Sequence, residues 1–75
     1  MVSVELTAKG KRRTVLADEK TSVGVFLEEN GVDVRLTPPA LNGSMLDADE
    51  LEYSFADLGV GKSCLLTCVV KTSNA

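Results

Sequence analysis

Residues 64–70, which read CLLTCVV, are the most hydrophobic stretch of this chain. A short apolar run that contains β-branched residues and follows turn-forming glycines is typical of a buried strand. The chain has 75 residues, a length at which one domain with one small core is expected. We therefore predict a single domain spanning residues 1–75, in which residues 64–70 form the central strand.

The two cysteines of this run are expected to be reduced thiols in the core. In a strand, Cys64 and Cys68 share one face and lie about 13 Å apart at ~3.3 Å per residue. That separation exceeds the ~7 Å limit for a disulfide. Two cysteines and no histidine also fall short of the ligand set of a structural zinc site. The sequence therefore predicts neither a metal nor a cofactor.

A β-hairpin is predicted near the N-terminus. Apolar and polar residues alternate over residues 2–7, which is the pattern of a strand with one buried face. Gly10 can adopt the positive φ of a tight turn, and residues 12–17 then return as a second strand. The alternation leaves two candidate inward faces for this second strand, namely Thr14 with Leu16 or Val15 with Ala17.

A helix is predicted to follow the hairpin, because Val23, Phe26 and Leu27 have the i, i+3, i+4 spacing of one apolar stripe. Thr21 or Ser22 can cap its first free N–H groups. The Asn-Gly pair that follows the stripe is a typical helix stop. A glycine and two valines in the first turn lower the helix propensity, so packing against a sheet must stabilise this helix.

The sequence of the second half of the chain predicts short secondary-structure elements separated by turns. Residues 32–37 form a connection, and the two prolines after them interrupt strand pairing. Residues 40–46 contain an Asn-Gly pair between apolar residues, which is a strong signal for a two-residue hairpin. Residues 47–52 are predicted to be an acidic link. Residues 54–58 can form one helical turn, with the serine as its cap and the Phe and Leu side chains in the core.

This order of elements resembles the ubiquitin-like family, and the resemblance covers nearly the whole chain. Residues 54–75 align without a gap with the C-terminal segment of ubiquitin, and the identical residues are then Asp57, Lys62, Leu66 and Val69. The Leu-Asn-Gly turn at residues 41–43 is similar to that of the small sulfur carriers of thiamine and molybdopterin synthesis. The resemblance implies an α+β fold, the ubiquitin-like β-grasp, in which a mixed sheet of four to five strands packs on one helix.

The resemblance also implies a noncovalent protein-interaction module that binds through the exposed face of its sheet. In this alignment Ala40 and Val69 occupy two positions of the family's hydrophobic docking patch. The outward face of the last strand also carries Leu65 and Thr67. The predicted partner-binding residues are therefore Ala40, Leu65, Thr67 and Val69. The predicted partner is another protein, or a second copy of the chain bound through the sheet face or an edge strand.

A covalent modifier or sulfur carrier is the alternative function that the resemblance implies. Proteins of that kind are activated at the carboxylate of a C-terminal Gly-Gly, which is narrow enough to enter an activating enzyme. No glycine follows Gly61 in this sequence, which ends with Ala75. The alternative would therefore require activation of the Ala75 carboxylate, and the interaction module is the favoured prediction.

Nucleotide binding is a third interpretation, since residues 56–63, ADLGVGKS, fit a relaxed phosphate-loop pattern. Such a loop needs a buried strand before it and a helix that begins at its Lys-Ser pair, so that helix N–H groups face the phosphates. The residues before the loop do not read as a buried strand, and those after Ser63 favour a strand. We therefore expect the stretch from Gly59 to Ser63 to be a bend and Lys62 to be a surface charge.

Composition disfavours several other classes of function. Without histidine, a serine or cysteine nucleophile would lack its usual base, so no enzymatic activity is predicted. The chain has a net charge of −3, and the basic cluster at residues 9–13 lacks aromatic residues that stack on bases, which disfavours nucleic acid. No apolar run approaches the ~20 residues of a membrane span. A cytoplasmic location without membrane attachment is therefore expected.

Overall fold

The computed structural model describes residues 1–68, which form a five-stranded mixed sheet and two helices. The strands are β1 Val2–Ala8, β2 Lys11–Ala17, β3 Pro39–Leu41, β4 Ser44–Met45 and β5 Ser63–Cys68, and the helices are α1 Val23–Glu29 and the 3₁₀ helix Glu50–Glu52. The predicted final strand is thus confirmed as far as Cys68, and its last two residues lie outside the described part of the chain.

β5 lies in the middle of the sheet, whose strand order is β2-β1-β5-β3-β4. It runs parallel to β1 and antiparallel to β3. The β1–β2 and β3–β4 pairs are antiparallel. The first and the last described strands are therefore neighbours, and the crossover between them includes α1. This topology confirms the predicted α+β architecture and the central position of the last strand.

A two-residue turn, Lys9-Gly10, joins β1 to β2. Both residues have positive φ, 53° and 74°, which is the signature of a type I′ turn whose twist suits a hairpin. Ala17 is buried and Val15 is partly buried, whereas Leu16 is 64% exposed. Burial therefore decides between the two candidate faces of β2, since Val15 and Ala17 face the core.

α1 packs on one face of the sheet through the predicted stripe of Val23, Phe26 and Leu27, all of which are buried. Ser22 is its cap, because the Val25 N–H donates to the Ser22 Oγ at 3.3 Å. The residues that share this core are Val2, Val4, Leu6, Ala17, Val23, Phe26, Leu27, Val32, Leu41, Phe55, Cys64, Leu66 and Cys68. Within residues 1–68, no helix combines the length and the hydropathy needed to cross a bilayer.

The acidic segment at residues 47–52 is more ordered than its composition predicted. Glu50–Glu52 form a 3₁₀ helix, so the prediction of a plain link is wrong for these residues. The Glu50 side chain folds back and accepts a hydrogen bond from the Asp47 N–H at 2.9 Å. This contact closes the turn of residues 47–50 that leads into the 3₁₀ helix.

The predicted turn at residues 54–58 is present. The Leu58 N–H donates to the Ser54 carbonyl at 3.1 Å, and the Asp57 N–H donates to the Ser54 Oγ at 3.1 Å. Ser54 is thus the cap of this turn, as predicted. The turn places Phe55 in the core, where its side chain is fully buried.

Candidate protein-interaction face

The face of the sheet that points away from α1, called the outer face from here on, is built from alternate residues of each strand. In β5, Cys64 and Leu66 are buried, whereas Leu65 between them is 38% exposed. The strand registers align one row of outward residues across the whole sheet, and this row comprises Arg12, Thr7, Thr67, Ala40 and Met45. The central strand therefore presents a surface that extends over all its neighbours.

Leu65 lies at the centre of the outer face. It is level with Glu5 on β1 and, on its other side, with the turn residue Asn42, whose backbone N–H donates to the Leu65 carbonyl at 2.7 Å. A shallow depression of about 350 Å³ surrounds it and is lined by Ser3, Glu5, Thr14, Asn42, Ser63, Cys64 and Leu65. Leu65 is thus an apolar centre within a mainly polar ring.

Along the row of outward residues that passes through Thr67, the outer face is charged at its β2 end and apolar at its β4 end. Glu5 Oε1 and Arg12 Nη1 form an exposed ion pair at 3.2 Å, a type of contact that stabilises a fold by only ~0–1 kcal/mol. At the other end of the sheet, Ala40 pairs with Met45, which is 60% exposed. A partner that covers this face would meet both kinds of surface.

The structure brings three of the predicted partner-binding residues together. Leu65 and Thr67 project from the same face of β5, and Ala40 pairs directly with Thr67 across β3 and β5. Val69, the fourth predicted residue, and Ala75, the residue of the covalent alternative, lie outside the described residues 1–68.

Sequence reasoning missed two exposed apolar residues of this face, Met45 and Leu16. Met45 could have been found from its turn, because a two-residue Asn-Gly loop pairs the residue two before it with the residue two after it, here Ala40 with Met45. Leu16 belonged to one of the two candidate faces of β2. Alternation alone could not show which face is exposed, because both sets contained apolar residues.

Asn42 connects the β3–β4 turn to the centre of the outer face. Its side-chain Oδ1 accepts a hydrogen bond from the Leu65 N–H at 2.9 Å, so the main chain of Leu65 is bound by Asn42 in both directions. Its φ is 50°, a left-handed conformation that asparagine tolerates better than most residues. Asn42 therefore suits this position through both its backbone and its side chain.

Replacing Asn42 by alanine is expected to lower the free energy of unfolding by about 1–2 kcal/mol, because the hydrogen bond is lost and the left-handed backbone becomes strained. Asn42→Gly removes only the hydrogen bond and should cost less, while Asn42→Asp keeps the acceptor and should cost least. Urea unfolding of the three variants measures this order. Equal stability of the alanine and aspartate variants would contradict the role of the side-chain oxygen.

Cys64 and Cys68 are free and buried, as predicted. Burial raises the pKa of both thiols above the ordinary cysteine value. They are therefore protonated at neutral pH, whereas a nucleophilic or metal-binding cysteine must be a thiolate. Within residues 1–68, no group of three or more Cys, Asp or Glu side chains is arranged to hold a metal ion.

The loop that resembles a phosphate-binding motif has a different geometry. Residues 55–59 form turns, and Gly59 has a φ of 79°, which glycine adopts without strain. Ser63 begins β5 and pairs with Ser3 of β1. The chain therefore continues as a strand at the point where a phosphate-binding loop would continue as a helix. This loop therefore lacks the helix N-terminus whose N–H groups would bind the phosphates.

Solved structures similar to this chain include ubiquitin-like proteins. One from Trypanosoma brucei has a TM-score of 0.71 and 15% sequence identity over 95% of both chains. Another, from the hyperthermophilic archaeon Caldiarchaeum subterraneum, has a TM-score of 0.56 and 14% identity over 97% of both chains. An Arabidopsis thaliana protein, solved from evolutionary couplings and sparse NMR data, has a TM-score of 0.74 and 16% identity over 97% of this chain and 89% of the other.

No protein-family model and no curated protein matches the sequence. The similarity is therefore one of fold, carried by the order of the strands and the helix and not by identical residues. The architecture described above and these ubiquitin-like structures agree over nearly the whole length of the chain. This chain has the ubiquitin-like β-grasp fold.

Proposed function

We propose that this chain is a noncovalent protein-interaction domain that binds a partner protein through the outer face of its sheet. The observation that carries the proposal is the position of Leu65, a 38% exposed aliphatic residue at the centre of that face. β5 is paired on both sides, so its backbone is already ordered before a partner binds. Little conformational entropy is then lost at this position on binding.

The outer face suits a protein partner with an apolar contact at its centre. Protein interfaces commonly have an apolar core and a polar rim. Leu65, Ala40 and Met45 supply apolar surface here, while the hydroxyl groups of Thr7 and Thr67 supply polar contacts beside it. The proposal also includes Val69, which was predicted to extend the same face.

Leu65→Lys is the variant that tests the outer face. Leu65 is level with Glu5, so a lysine gains an opposite charge across the strands, whereas an aspartate would add a like charge and weaken the sheet. A buried cation at the centre of an interface should weaken partner binding at least about tenfold. The measurement is capture of partners from source-cell lysate by the tagged chain, followed by titration of the captured protein.

Val25→Lys is the matched control for this variant. Val25 is 48% exposed on α1, and Glu28 and Glu29 follow it at helix spacings that favour a cation. A partner held by the wild type and by Val25→Lys, but lost by Leu65→Lys, supports the outer face. Equal binding by all three chains would contradict it. A partner that survives a denaturing wash would favour covalent attachment through Ala75 and overturn the noncovalent proposal.

We propose further that the domain is not an enzyme and acts in the cytoplasm. Ubiquitin-like folds of this size generally serve as modifiers or binding domains. The two thiols are buried and protonated, which supports a structural role for them. Reduced cysteines also suit the reducing cytoplasm. Subcellular fractionation of source cells, with the chain detected by an antibody, tests this location, and recovery of the chain outside the cytoplasmic fraction would contradict it.

A further inference from the structure

We propose that Asn42, in the β3–β4 turn, is a site of spontaneous deamidation in the folded protein, whereas Asn30 is protected from the same reaction. The chain contains two Asn-Gly pairs, at residues 30–31 and 42–43. Because the two pairs are identical as dipeptides, the surrounding structure must decide which asparagine reacts. This inference concerns a modification site and does not depend on the proposed binding of a partner.

The reaction needs only water and the Asn-Gly pair itself. Hydroxide removes the proton of the glycine N–H, and the glycine nitrogen then attacks the asparagine Cγ. A C–N bond forms, the bond from Cγ to Nδ2 breaks, and the leaving nitrogen takes a proton from water and departs as ammonia. Water opens the resulting five-membered imide at either carbonyl, which gives aspartate or isoaspartate. Glycine favours this reaction because it has no side chain to hinder the approach.

The attacking nitrogen is more accessible at Gly43 than at Gly31. Gly43 is exposed, and no atom lies within 4 Å of the position that a Cβ would occupy. Within residues 1–68, the Gly43 N–H donates to no backbone carbonyl. The Gly31 N–H, in contrast, donates to the Glu28 carbonyl at 3.1 Å, and this bond opposes its deprotonation.

The side chain of Asn30 is held through both atoms of its amide group. Its Nδ2 donates to the Phe26 carbonyl at 2.8 Å, and its Oδ1 accepts a hydrogen bond from Arg13 Nη2 at 3.3 Å. Asn30 is also the C-cap of α1, and its side chain is only partly exposed. Attack on its Cγ therefore requires the end of α1 to open and the contact with β2 to break.

The side chain of Asn42 is held by one hydrogen bond, from the Leu65 N–H to Oδ1 at 2.9 Å. The φ angles of Asn42 and Gly43 are 50° and 88°, which are those of a type I′ turn. The first central residue of such a turn has a ψ of about +30°, which places the next nitrogen nearly opposite Cβ about the Cα–C bond. Ring closure requires these two atoms to be eclipsed, so the turn must open before Asn42 reacts.

The β3–β4 hairpin is the part of the sheet that should open most easily. β4 has 2 residues, Ser44–Met45, both of them exposed. It is the last strand on its side of the sheet and pairs with β3 alone. Segments with few buried contacts open locally at a free energy well below that of global unfolding. Asn42 can therefore reach the reactive geometry while the core stays folded.

Deamidation at this position adds a negative charge at the centre of the outer face. Asn42 contacts the main chain of Leu65 on one side, and Glu5 is level with Leu65 on the other. Carboxylates then flank Leu65 on both sides. Isoaspartate also lengthens the main chain by one carbon atom, which the two-residue turn cannot accept without a change of register.

The test incubates the whole chain at mildly alkaline pH, with one sample in native buffer and one in concentrated urea. Trypsin then separates the two sites, because residues 21–35 contain Asn30 and residues 36–62 contain Asn42 as their only asparagine. Mass spectrometry follows the exchange of the side-chain amide for a carboxylate in each peptide. In native buffer Asn42 should react at least about tenfold faster than Asn30, because its local opening costs less.

In urea the two asparagines should react at similar rates, since the structure that distinguishes them is lost. Equal rates in native buffer, or a faster reaction at Asn30, would overturn the proposal. So would an unmodified Asn42 in native buffer when the urea sample is fully converted. The product should be a mixture of aspartate and isoaspartate, and aspartate alone would overturn the imide step.

Ser44→Pro tests whether opening of the hairpin controls the reaction. Proline removes the N–H that closes the turn and leaves the Asn-Gly pair unchanged. The variant should speed the reaction of Asn42 about tenfold through easier local opening, while Ser44→Ala should react as the wild type does. An unchanged rate at Asn42 in Ser44→Pro would overturn the role of the hairpin. If Ser44→Pro unfolds the whole chain, Asn30 also reacts faster, and the wild-type comparison decides the proposal.

Discussion

Replacing Phe55 by alanine is expected to lower the free energy of unfolding by about 3–5 kcal/mol. Phe55 is fully buried, and its ring meets that of Phe26 edge to face, with centroids 5.4 Å apart and an angle of 84° between planes. The variant loses both the buried area and this aromatic contact. Small domains have a total stability of only ~5–15 kcal/mol, so a large share of it depends on this one side chain.

Urea unfolding followed by circular dichroism measures the loss. Tyr53→Ala is the matched control, because Tyr53 lies two residues earlier and is 48% exposed. Its backbone carbonyl accepts a hydrogen bond from the Val23 N–H at 3.0 Å, a contact that the alanine variant keeps. Tyr53→Ala should therefore cost less than about 1 kcal/mol, as most surface substitutions do. Similar losses for Phe55→Ala and Tyr53→Ala would contradict the burial of Phe55.

Alanine at Leu66 is expected to lower the free energy of unfolding by about 2–5 kcal/mol, because it leaves a cavity beneath the central strand. Leu66 is fully buried and pairs with Leu6 on one side and Leu41 on the other. A cavity at this position borders the strands on both sides of β5. Because those strands are held by pairing, the surrounding side chains can move only slightly to fill it. The effect should be among the largest of any single substitution in the sheet.

Leu65→Ala is the internal control for this prediction, since it removes the same number of atoms from the adjacent residue. Leu65 is 38% exposed on the outer face, so its truncation should cost less than about 1 kcal/mol. Both variants are compared by thermal and urea unfolding. A larger loss for Leu65→Ala than for Leu66→Ala would show that the two faces of β5 are assigned the wrong way round.

Much of the fold was predictable because its elements have strong local signals. The alternation in β1, the stripe of Val23, Phe26 and Leu27, and the Asn-Gly turn each match a single backbone geometry, and the structure confirms all three. The inward face of β2 was not predictable, because apolar residues lie on both of its faces. The 3₁₀ helix was missed because its short acidic segment has no apolar periodicity that indicates a helix.

The candidate site was less accessible to sequence reasoning. The outward direction of Leu65 and Thr67 follows from alternation in one strand, and the structure agrees. Met45 and Leu16 join the same face only through the pairing of strands that are distant in sequence, in the order β2-β1-β5-β3-β4.

The sequence by itself determined the kinds of elements, their order and the position of the apolar strand, since periodicity and turn chemistry are local properties. It also determined the basic charge of the hairpin, which needs no structure to be counted. Only the tertiary structure decided which residues share the outer face and which edge of the sheet is open. The physical reason is that strand pairing and burial depend on contacts between segments that are distant in sequence. The local sequence around a residue does not show whether another strand or water covers its side chain.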